Sequence, residues 1–150
     1  IEQFMKLLGK EMQKGDSFLL GIDMIKDTDV LEKAYNDDHQ ITAEFNKNIL
    51  NVLNNLAETN FKPAEFEHIA FFNGEENRIE MHLKAMKDMV ITLNSTAGKI
   101  HIKKGETIHT ENSHKFNYDT IKTMGYWAGL DTEKIFSDNN QWFSLVHYKK

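Results

Sequence analysis

The sequence predicts an α/β chain in two interleaved parts: outer segments that build part of an α/β sheet, and a middle α+β segment inserted between them. Three observations carry this expectation. The run Ser17 to Ile25 (SFLLGIDMI) is nearly continuous in apolar residues, as in a strand buried on both faces of a parallel sheet. From Arg78 to Met86, Ile79, Met81, Leu83 and Ala85 alternate with Arg78, Glu80, His82 and Lys84, the period of a strand with one apolar face, and more strand-like runs follow. Beyond about Phe116 the pattern returns to a helix and then a closing hairpin.

Taken in order, Phe4, Leu7, Leu8 and Met12 recur at helical spacing, and Gly15-Asp16 is a turn signal before the apolar run. Asp27 or Thr28 is placed to cap a short helix reaching about Tyr35. After Asp37-Asp38, the residues Ile41, Phe45, Ile49, Val52, Leu53 and Leu56 mark the clearest amphipathic helix in the sequence. The single proline, Pro63, sits where a first-turn proline is tolerated and is expected to open a brief helix, PAEFEH. Strands are expected at His68 to Phe72, Arg78 to Met86, Val90 to Leu93, Lys99 to Lys103 and Glu106 to Lys115. Asn73-Gly74, Ser95 to Gly98 and Lys104-Gly105 are read as the turns and loops between them. Asn117 is an N-cap for a helix holding Tyr118, Ile121, Met124 and Trp127, and Gly129 ends it. A strand at Lys134 to Ser137, a turn at Asn139-Asn140 and a strand at Trp142 to Tyr148 close the chain, the last pairing antiparallel with the outer sheet.

A net charge of -5 with both signs interspersed argues against a phosphate-tracking surface, so nucleic acid is not the expected partner. The absence of cysteine excludes disulfides and thiolate chemistry within the chain, and a cytoplasmic location is the expectation. No apolar run has membrane-spanning length. Because the chain opens on Ile1 inside a helical pattern, without an initiator Met or a signal peptide, it reads as the rear part of a longer protein.

The stretch His109 to Phe116 (HTENSHKF) is polar on both faces of a regular strand, which suits an edge, open solvent or the wall of a polar pocket. In regular alternation Glu111 and Ser113 share a face, with roots roughly 6 to 7 Å apart from two residues of strand rise. A carboxylate and a hydroxyl so placed can hold a small polar ring through its N–H groups, and Met81 offers a soft wall. His82, His101, His109 and His114 fall in the strand region, but no recognised ligand spacing relates them and no metal site is expected. Neither G-x-G-x-x-G nor G-x-x-x-x-G-K-[ST] occurs, and no G-x-S-x-G elbow supplies a nucleophile, so the local motifs specify no catalytic residue.

Longer runs do carry a resemblance. LLGIDMIKD (Leu19 to Asp27), Tyr35-Asn36-Asp37 leading to FNKNIL (Phe45 to Leu50), FEHIAFFN (Phe66 to Asn73), RIEMHL (Arg78 to Leu83) and TENSHKF (Thr110 to Phe116) resemble the C-terminal part of the histidine-specific, S-adenosylmethionine-dependent methyltransferases. The best-known activity of that family is trimethylation of the L-histidine α-amino group in ergothioneine biosynthesis. The resemblance implies the C-terminal half of a Rossmann-like methyltransferase sheet, residues 1–25 and 116–150, carrying an inserted α+β substrate-binding domain, residues 26–115. It implies that Glu111 binds the substrate imidazole with Ser113 beside it, that Met81 packs against the ring, and that Tyr35 contacts the substrate carboxylate. The implied methyl donor is S-adenosylmethionine, whose main binding motif is expected upstream. The implied partner is a small amino acid, and sheet edges left open in this chain are expected to favour self-association. Asn112 and His114 depart from the apolar or small residues expected between the motif's polar positions. Two other readings remain open at this level: methylation of another amino acid such as a tryptophan derivative, and a non-catalytic amino-acid-binding module.

Overall fold

The computed structural model describes residues 1–94 and 97–150; Ser95 and Thr96, part of the loop read at Ser95 to Gly98, lie outside the described residues. The chain divides into two compact units, a terminal unit of Ile1–Lys26 with His114–Lys150 and a middle unit of Asp27–Ser113.

The terminal unit contains helix α1 (Glu2–Glu11), strand β1 (Ser17–Asp23), helix α4 (Tyr118–Ala128) and strands β7 (Asp131–Ser137) and β8 (Phe143–Lys149). Its sheet has the order β1-β8-β7 and is antiparallel throughout, with Leu20 opposite Val146 and Ile135 opposite the same valine on the other side. The two helices and one sheet face enclose a core of Met5, Ile22, Met24, Ile121, Met124, Ala128, Leu130, Val146 and Tyr148. The Tyr148 hydroxyl donates to the Ile121 carbonyl at 2.8 Å, and burial pushes its pKa up to about 12.

Helix α4 starts and stops where the sequence places its caps. The Asn117 side chain accepts from Thr120 N–H, and Gly129 takes the left-handed conformation at φ 62°. A second glycine sets how closely α1 and α4 approach, since a Cβ at Gly9 would lie 1.9 Å from the Ala128 carbonyl oxygen.

Strand β1 differs from the expectation of a central parallel strand buried on both faces. It pairs only with the antiparallel β8 in this sheet and stands at its end. Phe18, Leu20, Ile22 and Met24 turn toward the core, whereas Leu19 is 59% exposed. The run read as continuous because an apolar residue also occupies the outward face, where Leu19, Phe136, Phe143 and Leu145 remain exposed.

The middle unit contains helices α2 (Thr28–Tyr35) and α3 (Ile41–Leu56), a short 3-10 turn (Pro63–Glu65), and strands β2 (Phe66–Asn73), β3 (Arg78–Ala85), β4 (Met89–Leu93) and β5 (Gly98–Ile102). Strand β6 (Thr107–His114) ends it, and the strands form one sheet of order β2-β3-β6 and a separate β4-β5 hairpin. The helix expected at PAEFEH is cut to three residues because Phe66 and Glu67 enter the β2-β3 ladder opposite Ala85 and Lys84. Ala85 N donates to Glu106 O and Thr110 Oγ1 to Met81 O, which sets β6 antiparallel to β3.

Asp27 caps α2 by accepting from Asp29 and Val30 N–H. The Asp37 carboxylate accepts from Ile41 and Thr42 N–H, both at 2.9 Å, and those bonds hold its pKa below the usual carboxylate value. Helix α3 buries Asn46 and Leu50, and its apolar stripe of Ile41, Phe45, Ile49, Val52 and Leu56 is exposed. Asn46 Nδ2 donates to His68 Nδ1 at 2.9 Å and to His82 O at 3.2 Å, a polar anchor that turns the helix. Leu50 then joins Phe61, Phe66, Leu83, Ala85, Ile91 and Ile102 in one core, and Leu31, Ala70, Ile79 and Met81 form another.

Candidate functional site

Tyr35 is placed by the way α2 is stitched to the outer edge of β2. Asn36 Nδ2 donates to Ala70 O at 2.9 Å, and Phe72 N–H donates to Glu32 Oε1 at 2.9 Å. His68 completes the stitch. Its Nδ1 accepts from Asn46, so its Nε2 carries the proton and donates to the Tyr35 carbonyl at 2.9 Å.

So held, Tyr35 packs beside the cluster that contains Met81, which is only 2% exposed, and its hydroxyl meets Ser113 Oγ at 2.7 Å. Three of the four residues singled out in the sequence are therefore brought together. Glu111 is exposed and lines a separate cleft of about 210 Å³ with Phe45, Asn46, Ile49 and Thr110, and its carboxylate makes no hydrogen bond or ion pair among the described residues. The regular alternation expected for β6 is interrupted here. His109 Nε2 lies 2.8 Å from Asn112 Oδ1, an odd and an even position on one side, and Glu111 and Asn112 are both exposed while Ser113 is half-buried. A larger cleft of about 780 Å³ is lined by Tyr35 with Asp37, Gln40, Lys47, His68 and Met86.

A second polar constellation in the same unit escaped the sequence reading. Arg78 donates to Glu80 Oε1 through Nε at 2.9 Å and Nη2 at 2.8 Å, and Asn73 Nδ2 adds a third bond at 2.9 Å. Arg78 foremost, then Asn73 and His82, hold the Glu80 carboxyl at a pKa of about 2. His82 Nε2 faces the other carboxylate oxygen at 3.2 Å, and its ring lies between Phe71 at 5.4 Å and His109 at 4.4 Å. The available signal was the i, i+2 spacing of Glu80 and His82 on one strand face. The partner across the sheet depends on register, which spacing does not reveal.

In the terminal unit, Asp23 lies at the end of β1 between two lysines. Its Oδ2 is 3.0 Å from Nζ of the fully buried Lys115, and its Oδ1 pairs with Lys26.

The chain is a mixed α/β protein whose middle unit brings the hydroxyls of Tyr35 and Ser113 together beside the Met81 cluster. Comparison makes the class specific. Two proteins named histidine N-alpha-methyltransferase align with it. The one from Mycolicibacterium smegmatis is 38% identical over 136 residues, 91% of this chain and 42% of its own length. The one from Mycobacterium tuberculosis is 36% identical over 143 residues, 95% of this chain and 44% of its own. Residues 1–150 also match, as a whole, the family described as histidine-specific methyltransferase, SAM-dependent, and the chain belongs to that family. It spans less than half the length of the two relatives.

Proposed function

We propose that the chain is the C-terminal part of an S-adenosylmethionine-dependent methyltransferase that places methyl groups on the α-amino group of L-histidine, the ergothioneine-pathway reaction of its family. The terminal unit is its share of a Rossmann-like methyltransferase sheet, and the middle unit is the substrate-binding part. The observation that carries the reading, in a chain of this family, is the Tyr35–Ser113 contact at 2.7 Å. Two hydroxyls from elements far apart in sequence meet beside buried Met81, while Glu111, two positions before Ser113 on the same strand, lines a separate cleft.

In this reading, which takes the two roles from the family resemblance since Glu111 and Ser113 do not share a cleft here, Glu111 accepts a charge-assisted hydrogen bond from an imidazole N–H and Ser113 serves the second ring nitrogen. Met81 packs against the ring, and Tyr35 directs its hydroxyl to the substrate carboxylate. Selectivity follows because an apolar side chain would leave the Glu111 carboxylate desolvated without a partner. The chain has no glycine-rich phosphate or nucleoside loop of the G-x-G-x-x-G kind, so none of its residues is assigned to the methyl donor. When bound, that donor supplies an electrophilic methyl group. The part played by this chain is to hold the acceptor amine in position with water excluded. No helix among the described residues is long and apolar enough to cross a membrane; the reading places the protein in the cytoplasm because its reaction uses small metabolites.

The test is methyl transfer from labelled S-adenosylmethionine by the full-length protein, with each amino acid offered separately and products analysed by mass. Mass gain on the α-amino group of histidine is expected. Transfer only to another amino acid would keep the reaction and overturn the pocket assignment, and no transfer to any would leave a binding module.

A further inference from the structure

We propose that Glu80, His82 and His109 form a binding site for a divalent transition cation of the Zn²⁺, Co²⁺ and Ni²⁺ group, on the sheet face shared by β3 and β6. This stands apart from the methyltransferase reading and reverses the expectation from sequence that the histidines hold no metal. One ligand atom from each of the three side chains lies within 4.8 Å of the other two. The convergence follows from the sheet itself. Glu80 and His82 are two apart on β3 and project from one face, and His109 stacks on His82 from the neighbouring strand at 4.4 Å with an angle of 13° between rings.

The donor set selects the ion. Two imidazoles and one carboxylate suit Zn²⁺ and its neighbours, whereas Mg²⁺ and Ca²⁺ demand oxygen shells. The surrounding groups already orient the ligands as outer-shell partners do. Arg78 and Asn73 occupy Glu80 Oε1 and leave Oε2 directed at His82. His109 Nε2 faces two oxygen acceptors, Asn112 Oδ1 at 2.8 Å and Glu111 O at 3.2 Å, so it carries the proton and Nδ1 keeps the free lone pair. His109 is exposed, which gives the ion an entry path. Ligands around a tetrahedral zinc sit roughly 3.3 Å apart, so the donors draw in by up to about 1.5 Å, a shift taken up by the exposed His109 ring. A fourth position stays open to water.

The competing account is a purely structural stack of Phe71, His82 and His109. His109→Phe separates the two, because it keeps a ring against His82 and removes a ligand. The untagged chain is titrated with Co²⁺, followed by its visible absorption, and then with Zn²⁺ in competition with a chromophoric chelator. One Co²⁺ per chain with d–d bands displaced by Zn²⁺ is expected, and affinity should fall at least tenfold in His109→Phe and in His82→Phe. Absence of a saturable Co²⁺ spectrum overturns the site, as does unchanged affinity in His109→Phe, which would assign the ion to other histidines. His109 is exposed, so that variant decides the matter even if His82→Phe impairs folding.

Discussion

Replacing Gly9 by alanine sets two effects of opposite sign against each other. Alanine is the better helix former by about 1 kcal/mol, so in an exposed helix the change would stabilise. Here the added Cβ would sit 1.9 Å from the Ala128 oxygen, 2.7 Å from its carbonyl carbon and 2.9 Å from its Cα. These are backbone atoms and cannot rotate away. Restoring ordinary contact requires α1 and α4 to part by about 1.5 Å, which loosens Met5 against the core and stretches the Lys150 Nζ bond to Gly9 O from 2.9 Å. Overpacking of this severity costs about 3 kcal/mol, and the propensity gain leaves a net loss of about 2 kcal/mol. The assay is built into the chain, since its only two tryptophans, Trp127 and Trp142, both belong to the terminal unit. Urea unfolding followed by tryptophan fluorescence should show the midpoint falling by about 1 M. A midpoint that holds or rises would refute the close helix approach.

Three further outcomes are expected. Asp23→Ala removes one carboxylate from the buried Lys115 ammonium and should cost the terminal unit about 2 to 3 kcal/mol, the scale of a lost charge-assisted hydrogen bond, by the same fluorescence assay. The folded-state pKa of Glu80 is depressed from the ordinary 4.5 to about 2, so its contribution is present above pH 4.5 and is lost as pH falls toward 2. Amide NMR signals of β2 and β3 should therefore weaken over that window, and Glu80→Gln should flatten the dependence. On the proposed reading, Glu111→Ala in the full-length protein should lower kcat/KM for histidine by about 10- to 100-fold, the scale of a lost charge-assisted bond; unchanged kinetics would remove Glu111 from the site.

Local chemistry was the legible part of the sequence. Asp27, Asn117 and Gly129 cap helices where their residue types predict, because a cap depends only on neighbours within a turn. The strict alternation from Arg78 likewise marks β3, whose Ile79, Met81, Leu83 and Ala85 are buried. Tertiary partners decide the rest. The buried side of α3 is chosen by Asn46, whose bonds to His68 and His82 O outweigh an apolar stripe on another side. Within the candidate site, Tyr35 and Ser113 were named through family motifs, and their 2.7 Å contact arises from distant segments that no spacing rule connects. The slip of alternation at Glu111 and Asn112 and the meeting of His82 with His109 both depend on how β6 pairs, a property of two strands rather than one.

The sheet order of the terminal unit has a consequence for biosynthesis. β8, synthesised after β1 and β7, is the middle strand of that sheet, and β1 has its register set by residues such as Lys149 opposite Ser17. The middle unit is continuous in sequence and is complete once Ser113 has emerged, whereas β1 must wait for residues 143–149 before it has a partner in its sheet. Removing residues 143–149 would therefore delete the centre of a sheet rather than trim a tail.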